Sequence, residues 1–131
     1  MHDTLKSLVR NQISASVATL QSVMADDSVS DALVRAAELT AAAMKNGRKL
    51  MVAGNGGSAA DSQHLVAEFV SRLTVDRPPL RAIALTVDSS ILTAIGNDYS
   101  YDNVFERQVE PLGSKGTSSS ESLHRAIRRT W

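Results

Sequence analysis

The sequence predicts an α/β domain with parallel strands, preceded by two long helices. Two observations predict it: each of two short apolar runs is followed by apolar residues at helical spacing, and the first of these junctions is the glycine-rich turn GNGGS. The length of 131 residues fits one domain with a core of its own. A hydrophobic content of 43% with 21% charged residues is typical of a globular protein.

The composition excludes several classes of protein. The absence of cysteine excludes disulfide scaffolds and thiolate metal sites. The 14 basic and 14 acidic side chains balance, so net charge gives no reason to expect a nucleic acid or an anionic membrane as partner. No apolar run approaches the ~20 residues that a membrane span needs, and the N-terminus does not resemble a signal peptide. We therefore expect a cytoplasmic protein.

Residues 3–25 and 29–46 are predicted to form two amphipathic helices separated by Asp26-Asp27-Ser28. The apolar residues of both segments recur at helical steps, and they are Leu5, Leu8, Val9, Ile13, Val17, Leu20 and Met24 in the first and Val29, Leu33, Ala36, Ala37 and Met44 in the second.

Two buried strands are predicted over residues 49–53 and 82–87, where the sequence reads KLMVA and AIALTV. A helix over residues 58–73 joins them, and Ser58 with Asp61 fits the spacing of a capping box at its start. A strand, a helix and a second strand in this order favour a parallel pair.

After the second strand, Asp88-Ser89-Ser90 is typical of a helix start. The helix is expected over residues 91–95 and is expected to end at Gly96-Asn97-Asp98. A helical pattern resumes over residues 101–112, whereas residues 114–131 show no convincing period. Charge also changes there, since residues 114–131 hold four basic side chains and one acidic side chain.

The glycine-rich turn is the strongest local signal for a binding site. Glycines let the backbone approach a ligand, and the free N–H groups at a helix start suit a phosphate. Ser58 adds a hydroxyl donor. A tight turn with a helix cap explains the same residues about equally well. The spacing matches neither the P-loop nor the dinucleotide-binding motif.

His64 and Glu68 are four residues apart, so they lie on one face of the predicted helix, and Arg72 is expected one turn further along that face. The pair could bind Zn²⁺ or could be a surface ion pair, because two ligands do not complete a zinc site. Asn97 and Asp98 alone are common turn residues.

The runs AGNGGSAADSQHLVAEFVSRL and RPPLRAIALTVDSSILTAIGNDYSYDNVFERQVEPLG resemble the N-terminal part of bacterial phosphoheptose isomerases, which belong to the sugar-isomerase (SIS) domain family. The resemblance covers residues 1–113. It implies a doubly wound parallel sheet with flanking helices behind a long N-terminal helical pair, assembled as a homotetramer. It also implies conversion of sedoheptulose 7-phosphate to D-glycero-D-manno-heptose 7-phosphate through an enediol, in the biosynthesis of surface heptoses.

The same resemblance assigns roles to particular residues. His64 and Glu68 would bind Zn²⁺, and Glu68 would be the catalytic proton carrier. The residues implied to bind the substrate are Asn55, Gly56, Gly57, Ser58, Glu68, Arg72, Asn97 and Asp98.

Residues 114–131 depart from the family. Family chains continue after the position of Gly113 with a strand, a Ser/Thr loop that grips the phosphate, and later a Gln and a His that complete the metal site. One choice of codons for GTSSSESLHRAIRRTW, read from the third base, gives DVLIGISTSGNSTNV, which fits the family pattern. We hypothesise a one-base loss after Lys115; a gene whose shifted frame spells no such motif contradicts it.

We therefore expect residues 1–113 to be the N-terminal part of a SIS domain and residues 114–131 to be a tail outside the family. A chain that is truncated in this way is expected to be weakly active or inactive. The alternative is a non-catalytic SIS module that binds phosphosugars or associates with a replication-initiation protein.

Overall fold

The structure is a computed structural model, and it describes residues 2–113. The predicted tail over residues 114–131 lies outside the described residues. The chain divides into two compact units, with the boundary between Lys45 and Asn46.

The first unit consists of two helices, α1 (His2–Met24) and α2 (Asp27–Lys45), which confirm the predicted helical pair. Asp26 precedes α2, and its carboxylate accepts hydrogen bonds from Ser28 N at 2.9 Å and Ser28 Oγ at 2.6 Å. These bonds provide acceptors for the start of the helix. The side-chain hydrogen bond from Ser28 is the main reason why the pKa of Asp26 lies below its ordinary value.

The apolar stripes of both helices are exposed. Leu8 and Ile13 in α1 expose 55% and 58% of their surface, and Leu33 in α2 exposes 65%. No residue of α2 is buried. The amphipathic pattern therefore forms the helices as predicted, but the described residues do not cover the stripes.

The second unit begins with a strand, a helix and a parallel strand: β1 (Leu50–Val52), α3 (Gly57–Val70) and β2 (Ala82–Ala84). Leu50 pairs with Ala82 and Val52 with Ala84, so the predicted parallel pairing is confirmed. The strand β2 is shorter than predicted, because the chain turns at Leu85 and Thr86. These two strands form the sheet within residues 2–113.

Three short elements follow: α4 (Ser89–Asp98), a 3₁₀ helix (Tyr101–Asn103) and α5 (Glu106–Leu112). Asp88 caps α4 as predicted, since its side chain accepts a 2.9 Å hydrogen bond from Ile91 N. The helix ends at Asp98, within the predicted stop Gly96-Asn97-Asp98, but these residues form its last turn, so it extends beyond the predicted range of 91–95. A 3.0 Å bond from Tyr99 N to Ile95 O continues the helical pattern past Gly96. A glycine in a helix costs only about 1 kcal/mol, so it need not end one.

The core lies where β2 ends. Leu85, Val104 and Phe105 are buried together, and partly buried apolar side chains pack around them: Met51, Leu92, Ile95, Val109 and Leu112. Gln108 is buried beside this cluster, and its Nε2 donates to Leu85 O at 3.1 Å and Val104 O at 3.0 Å. Both protons of the amide are thereby satisfied. No helix within residues 2–113 is long and apolar enough to cross a membrane.

Candidate functional site

The chain turns sharply between β1 and α3, and two glycines make the turn possible. Gly56 adopts a φ of 55°, a conformation that glycine reaches without steric strain. Gly54 packs directly against the first turn of α3, where a Cβ would lie 2.6 Å from the Ser58 carbonyl carbon and 2.7 Å from Ser58 Oγ. The backbone at Gly54, just after β1, therefore approaches α3 more closely than a side chain would allow.

Ser58 stabilises this turn in a way that differs from the prediction. Its Oγ accepts a 2.8 Å hydrogen bond from Asn55 N and donates a 2.7 Å hydrogen bond to Asn55 O. The predicted capping box with Asp61 is wrong, because α3 begins at Gly57 and its cap residue is Gly56, which makes no side-chain cap. Ser58 is already the second residue of the helix, and its hydroxyl proton is used inside the turn.

The side chain of Asn55 is hydrogen-bonded to a residue that lies far away in the sequence. Its Oδ1 accepts a 2.7 Å hydrogen bond from the hydroxyl of Tyr101, a residue 46 positions away. Its Nδ2 is buried and has no hydrogen-bond partner among residues 2–113. Both N–H donors of Asn55 Nδ2 are therefore unpaired among the described residues. No local sequence pattern relates Tyr101 to Asn55, so the sequence alone does not predict this contact.

His64 and Glu68 lie on one face of α3, as their spacing predicted. His64 Nε2 is 3.3 Å from Glu68 Oε1, and the imidazole is 80% exposed whereas the glutamate side chain is 27% exposed. Both border a shallow, open depression whose lining includes Phe69 and Arg77. Within residues 2–113 no three His, Cys, Asp or Glu side chains come together as a metal site. The pair offers one nitrogen and one carboxylate, donor types that zinc accepts, but not a third ligand.

Arg72 does not lie where the sequence analysis placed it. The helix α3 ends at Val70, so Arg72 is not on its face, and the prediction of one further turn is wrong. Arg77 explains the early end: its guanidinium donates to Glu68 O at 2.8 Å and Phe69 O at 2.9 Å. Leu80 N also donates to Phe69 O, at 3.0 Å. The carbonyls that would continue the helix are thus engaged by later residues.

The remaining predicted residues lie at the end of α4. Asn97 Nδ2 donates to Asp98 Oδ1 at 2.9 Å, and both residues are exposed. Side-chain contacts therefore join the predicted residues in three separate groups: Asn55 with Ser58, His64 with Glu68, and Asn97 with Asp98. Tyr101 links two of these regions, since it binds Asn55 and its ring lies next to Gly96 in the last turn of α4.

Comparison with known protein families shows to which family the chain belongs. Residues 13–117 match the SIS domain. The chain belongs to the SIS domain family. This SIS chain is 48% identical over 112 residues to the phosphoheptose isomerase of Clostridium acetobutylicum, covering 86% of this chain and 57% of that protein. It is 48% identical over 137 residues to the phosphoheptose isomerase of Bradyrhizobium sp., covering 98% of this chain and 69% of that protein.

Solved structures confirm the fold class of the SIS chain. The phosphoheptose isomerase GmhA from Neisseria gonorrhoeae superposes with a TM-score of 0.74 and 41% identity, covering 83% of this chain and 55% of that one. A phosphoheptose isomerase from Francisella tularensis superposes with a TM-score of 0.69 and 34% identity, covering 86% and 56%. The chain spans 57% and 69% of the length of these two curated relatives and 55% and 56% of the two solved chains.

Proposed function

We propose that the protein is a phosphoheptose isomerase, which converts sedoheptulose 7-phosphate to D-glycero-D-manno-heptose 7-phosphate for the biosynthesis of surface heptoses. One observation carries the proposal. His64 and Glu68 lie 3.3 Å apart on the helix that begins at the glycine-rich turn, in a chain 48% identical to phosphoheptose isomerases. An imidazole and a carboxylate can transfer protons, and the start of a helix favours a phosphate.

Glu68 is the proposed catalytic residue. Its half-buried carboxylate moves the proton between C1 and C2 of the sugar, through an enediol. Partial burial keeps the carboxylate from being fully hydrated, whereas an accessible edge lets a substrate reach it. The substrate approaches along the depression that His64 and Glu68 border.

The turn between β1 and α3 is the proposed binding region for the phosphosugar. Asn55, Gly56, Gly57 and Ser58 form it, and the positive end of the α3 dipole favours anionic oxygens. A second group of substrate contacts is proposed at Arg72, Asn97 and Asp98, which are all exposed.

His64 and Glu68 are the proposed ligands of a Zn²⁺ ion. They fit zinc in the type of donor but not in number, so a third protein ligand has to come from outside the described residues. When bound, the metal would polarise the substrate carbonyl as a Lewis acid. The protein's own contribution is to present the imidazole and carboxylate on one helix face.

We also propose that the protein is a cytoplasmic homo-oligomer, a tetramer as its family resemblance implies. The exposed apolar stripes of α1 and α2 support association, because water-exposed stripes of this extent are unfavourable in an isolated chain.

The test is turnover of sedoheptulose 7-phosphate with added Zn²⁺ by the purified chain, beside a second chain whose tail after Lys115 follows the restored frame. Glu68→Gln should lower the rate by about 100-fold or more in whichever chain is active, since general acid–base catalysis contributes that much. Glu110→Gln is the matched control, because Glu110 is an exposed glutamate of α5 outside the site.

Activity that survives Glu68→Gln would contradict the role of this carboxylate. Two folded chains without turnover would contradict the isomerase. If such chains still bound the sugar phosphate, a non-catalytic phosphosugar-binding SIS module would replace the enzyme as the function.

A further inference from the structure

Within residues 2–113, Tyr101 makes the hydrogen bond of longest sequence separation to a predicted substrate residue. Its hydroxyl lies 2.7 Å from Asn55 Oδ1, across 46 positions of sequence. The tyrosine stands at the start of the 3₁₀ helix Tyr101–Asn103, which a 2.7 Å hydrogen bond from Ser100 Oγ to Asn103 Oδ1 stabilises. The tyrosine therefore connects a fixed short helix to the glycine-rich turn.

This bond orients the Asn55 carboxamide. A phenol hydroxyl carries one proton, and donating it to Oδ1 places Nδ2 on the opposite branch of the amide. Asn55 Nδ2 is buried and has no partner among residues 2–113. An unpaired buried donor is unfavourable, and an acceptor oxygen from a ligand would satisfy it.

The backbone of Asn55 is also fixed, so the side chain has little freedom left. Ser58 Oγ binds both Asn55 N and Asn55 O, at 2.8 Å and 2.7 Å. With the main chain held by Ser58 and Oδ1 held by Tyr101, Nδ2 has one defined direction.

The same tyrosine lies close to the other half of the predicted substrate site. Its Cδ2 is 3.8 Å from the place where a Cβ on Gly96 would be, next to Asn97 and Asp98. Tyr101 thus contacts the turn that holds Asn55 and the helix end that holds the second group.

We propose that Tyr101 is a positioning residue, which holds the Asn55 carboxamide so that Nδ2 donates to an oxygen of the bound phosphosugar. The inference rests on the proposed function, because that function supplies the ligand. Tyr101 does not touch the substrate in this proposal and acts through Asn55.

The experiment compares Tyr101→Phe with Tyr99→Phe in the full 131-residue chain. Tyr99 is the matched control: it is a neighbouring exposed tyrosine whose ring lies under the Arg107 guanidinium, 3.8 Å from it. The first readout is the side-chain amide ¹H–¹⁵N resonance pair of Asn55, identified by its loss in Asn55→Asp. Tyr101→Phe should shift this pair, and Tyr99→Phe should leave it in place.

The second readout is the dissociation constant for sedoheptulose 7-phosphate, measured by titration. Tyr101→Phe should weaken binding about threefold to tenfold, as expected for one lost hydrogen bond, and Tyr99→Phe should not. In an Asn55→Ala background, Tyr101→Phe should have no further effect, because its route to the ligand is gone. A merely structural role would weaken binding in both backgrounds.

The outcomes separate the two proposals. If the wild-type chain binds the sugar phosphate and Tyr101→Phe binds it equally well, the role of Tyr101 is overturned and the proposed function stands. If the folded wild-type chain does not bind it, both are overturned. Since Tyr101 is 59% exposed, its phenylalanine variant should fold, and dispersed amide resonances check this.

Discussion

The two units of the chain are built by different kinds of interaction. In the helical unit, side-chain hydrogen bonds are local: Ser16, Thr19 and Thr40 each donate to the carbonyl four residues earlier. In the α/β unit, local bonds such as that from Ser62 to Ser58 are joined by bonds between distant positions, such as Gln108 to Leu85 and Tyr101 to Asn55. The buried apolar residues follow the same division, since all of those described lie in the α/β unit. Periodicity alone can specify the first unit, whereas the second depends on contacts between elements.

The largest expected effect is on the free energy of unfolding, when the same Leu→Ala substitution is made in each of the two units. Leu85→Ala removes a side chain that is 3% exposed from the core cluster, and it should lower the free energy of unfolding by about 2–5 kcal/mol. In the dissociated chain, Leu8→Ala, at 55% exposure, should change it by less than about 0.5 kcal/mol. Urea unfolding followed by circular dichroism measures both.

A large loss of stability from Leu8→Ala would contradict this difference between the two units. If that loss grew with protein concentration, the stripe of α1 would be buried in an assembly of copies, as the proposed oligomer requires.

The second effect is on the stability of the α/β unit and depends on one of its glycines. The helical unit offers no such position, because residues 2–45 contain no glycine. Gly54→Ala should destabilise the α/β unit by about 2–3 kcal/mol, because the new Cβ would overlap the backbone of Ser58. Gly57→Ala is the matched control: nothing lies within 4 Å of its Cβ position, and alanine favours a helix by up to about 1 kcal/mol. Thermal unfolding of both variants checks the contrast, and equal melting temperatures would contradict the close approach.

The third effect tests the distant hydrogen bonds at the end of α3. Arg77→Ala should lower the free energy of unfolding by about 1–2 kcal/mol, because it removes the charged donors to Glu68 O and Phe69 O. Arg72→Ala should have no measurable effect, since Arg72 is exposed beyond the helix. Amide hydrogen exchange of residues near the end of α3 should accelerate in the first variant alone.

The smallest effect belongs to the helical unit and depends on pH. The hydrogen bonds from Ser28 lower the pKa of Asp26 from 3.8, so the ionised carboxylate stabilises the start of α2. This contribution is fully present above pH 3.8 and is lost as the pH falls through the lower pKa of the folded state. Asp26→Ala should abolish it.

An acid titration followed by circular dichroism measures this loss of helix. Asp31→Ala, an exposed position within α2, should keep the acid-induced change of the wild type. If Asp26→Ala lost helix in the same way as the wild type as the pH fell, the role of the Asp26 carboxylate at the start of α2 would be contradicted.

Local patterns predicted what local interactions determine. The steps of Leu5, Leu8 and Ile13 predicted α1, and the four-residue spacing predicted that His64 and Glu68 share a face. The parallel pairing of β1 and β2 was predictable too, because a strand, a helix and a strand in sequence favour it. The SIS resemblance was carried by such contiguous motifs.

The errors arose where distant residues decide the local structure. Periodicity predicted that α3 continues through Arg72. Instead, Arg77 and Leu80 N donate hydrogen bonds to the carbonyl oxygens that a further turn would use. Ser58 looked like a cap because its spacing to Asp61 fits one, whereas the turn at Gly56 starts the helix a residue earlier. The bond between Tyr101 and Asn55 has no sequence signature, since only the folded chain brings those positions together.

The register of the two strands has a consequence for the order of folding. Leu50 pairs with Ala82, about thirty residues away, so β1 and β2 cannot join until the intervening chain has closed into a loop. The helices α1 and α2 need contacts only a few residues apart, and such helices form in about a microsecond. We expect stopped-flow circular dichroism to show helical signal arising before the α/β unit acquires protected amides. During that interval the unpaired backbone of Leu50–Val52 would be open to strands of other molecules, so refolding yield should fall as protein concentration rises.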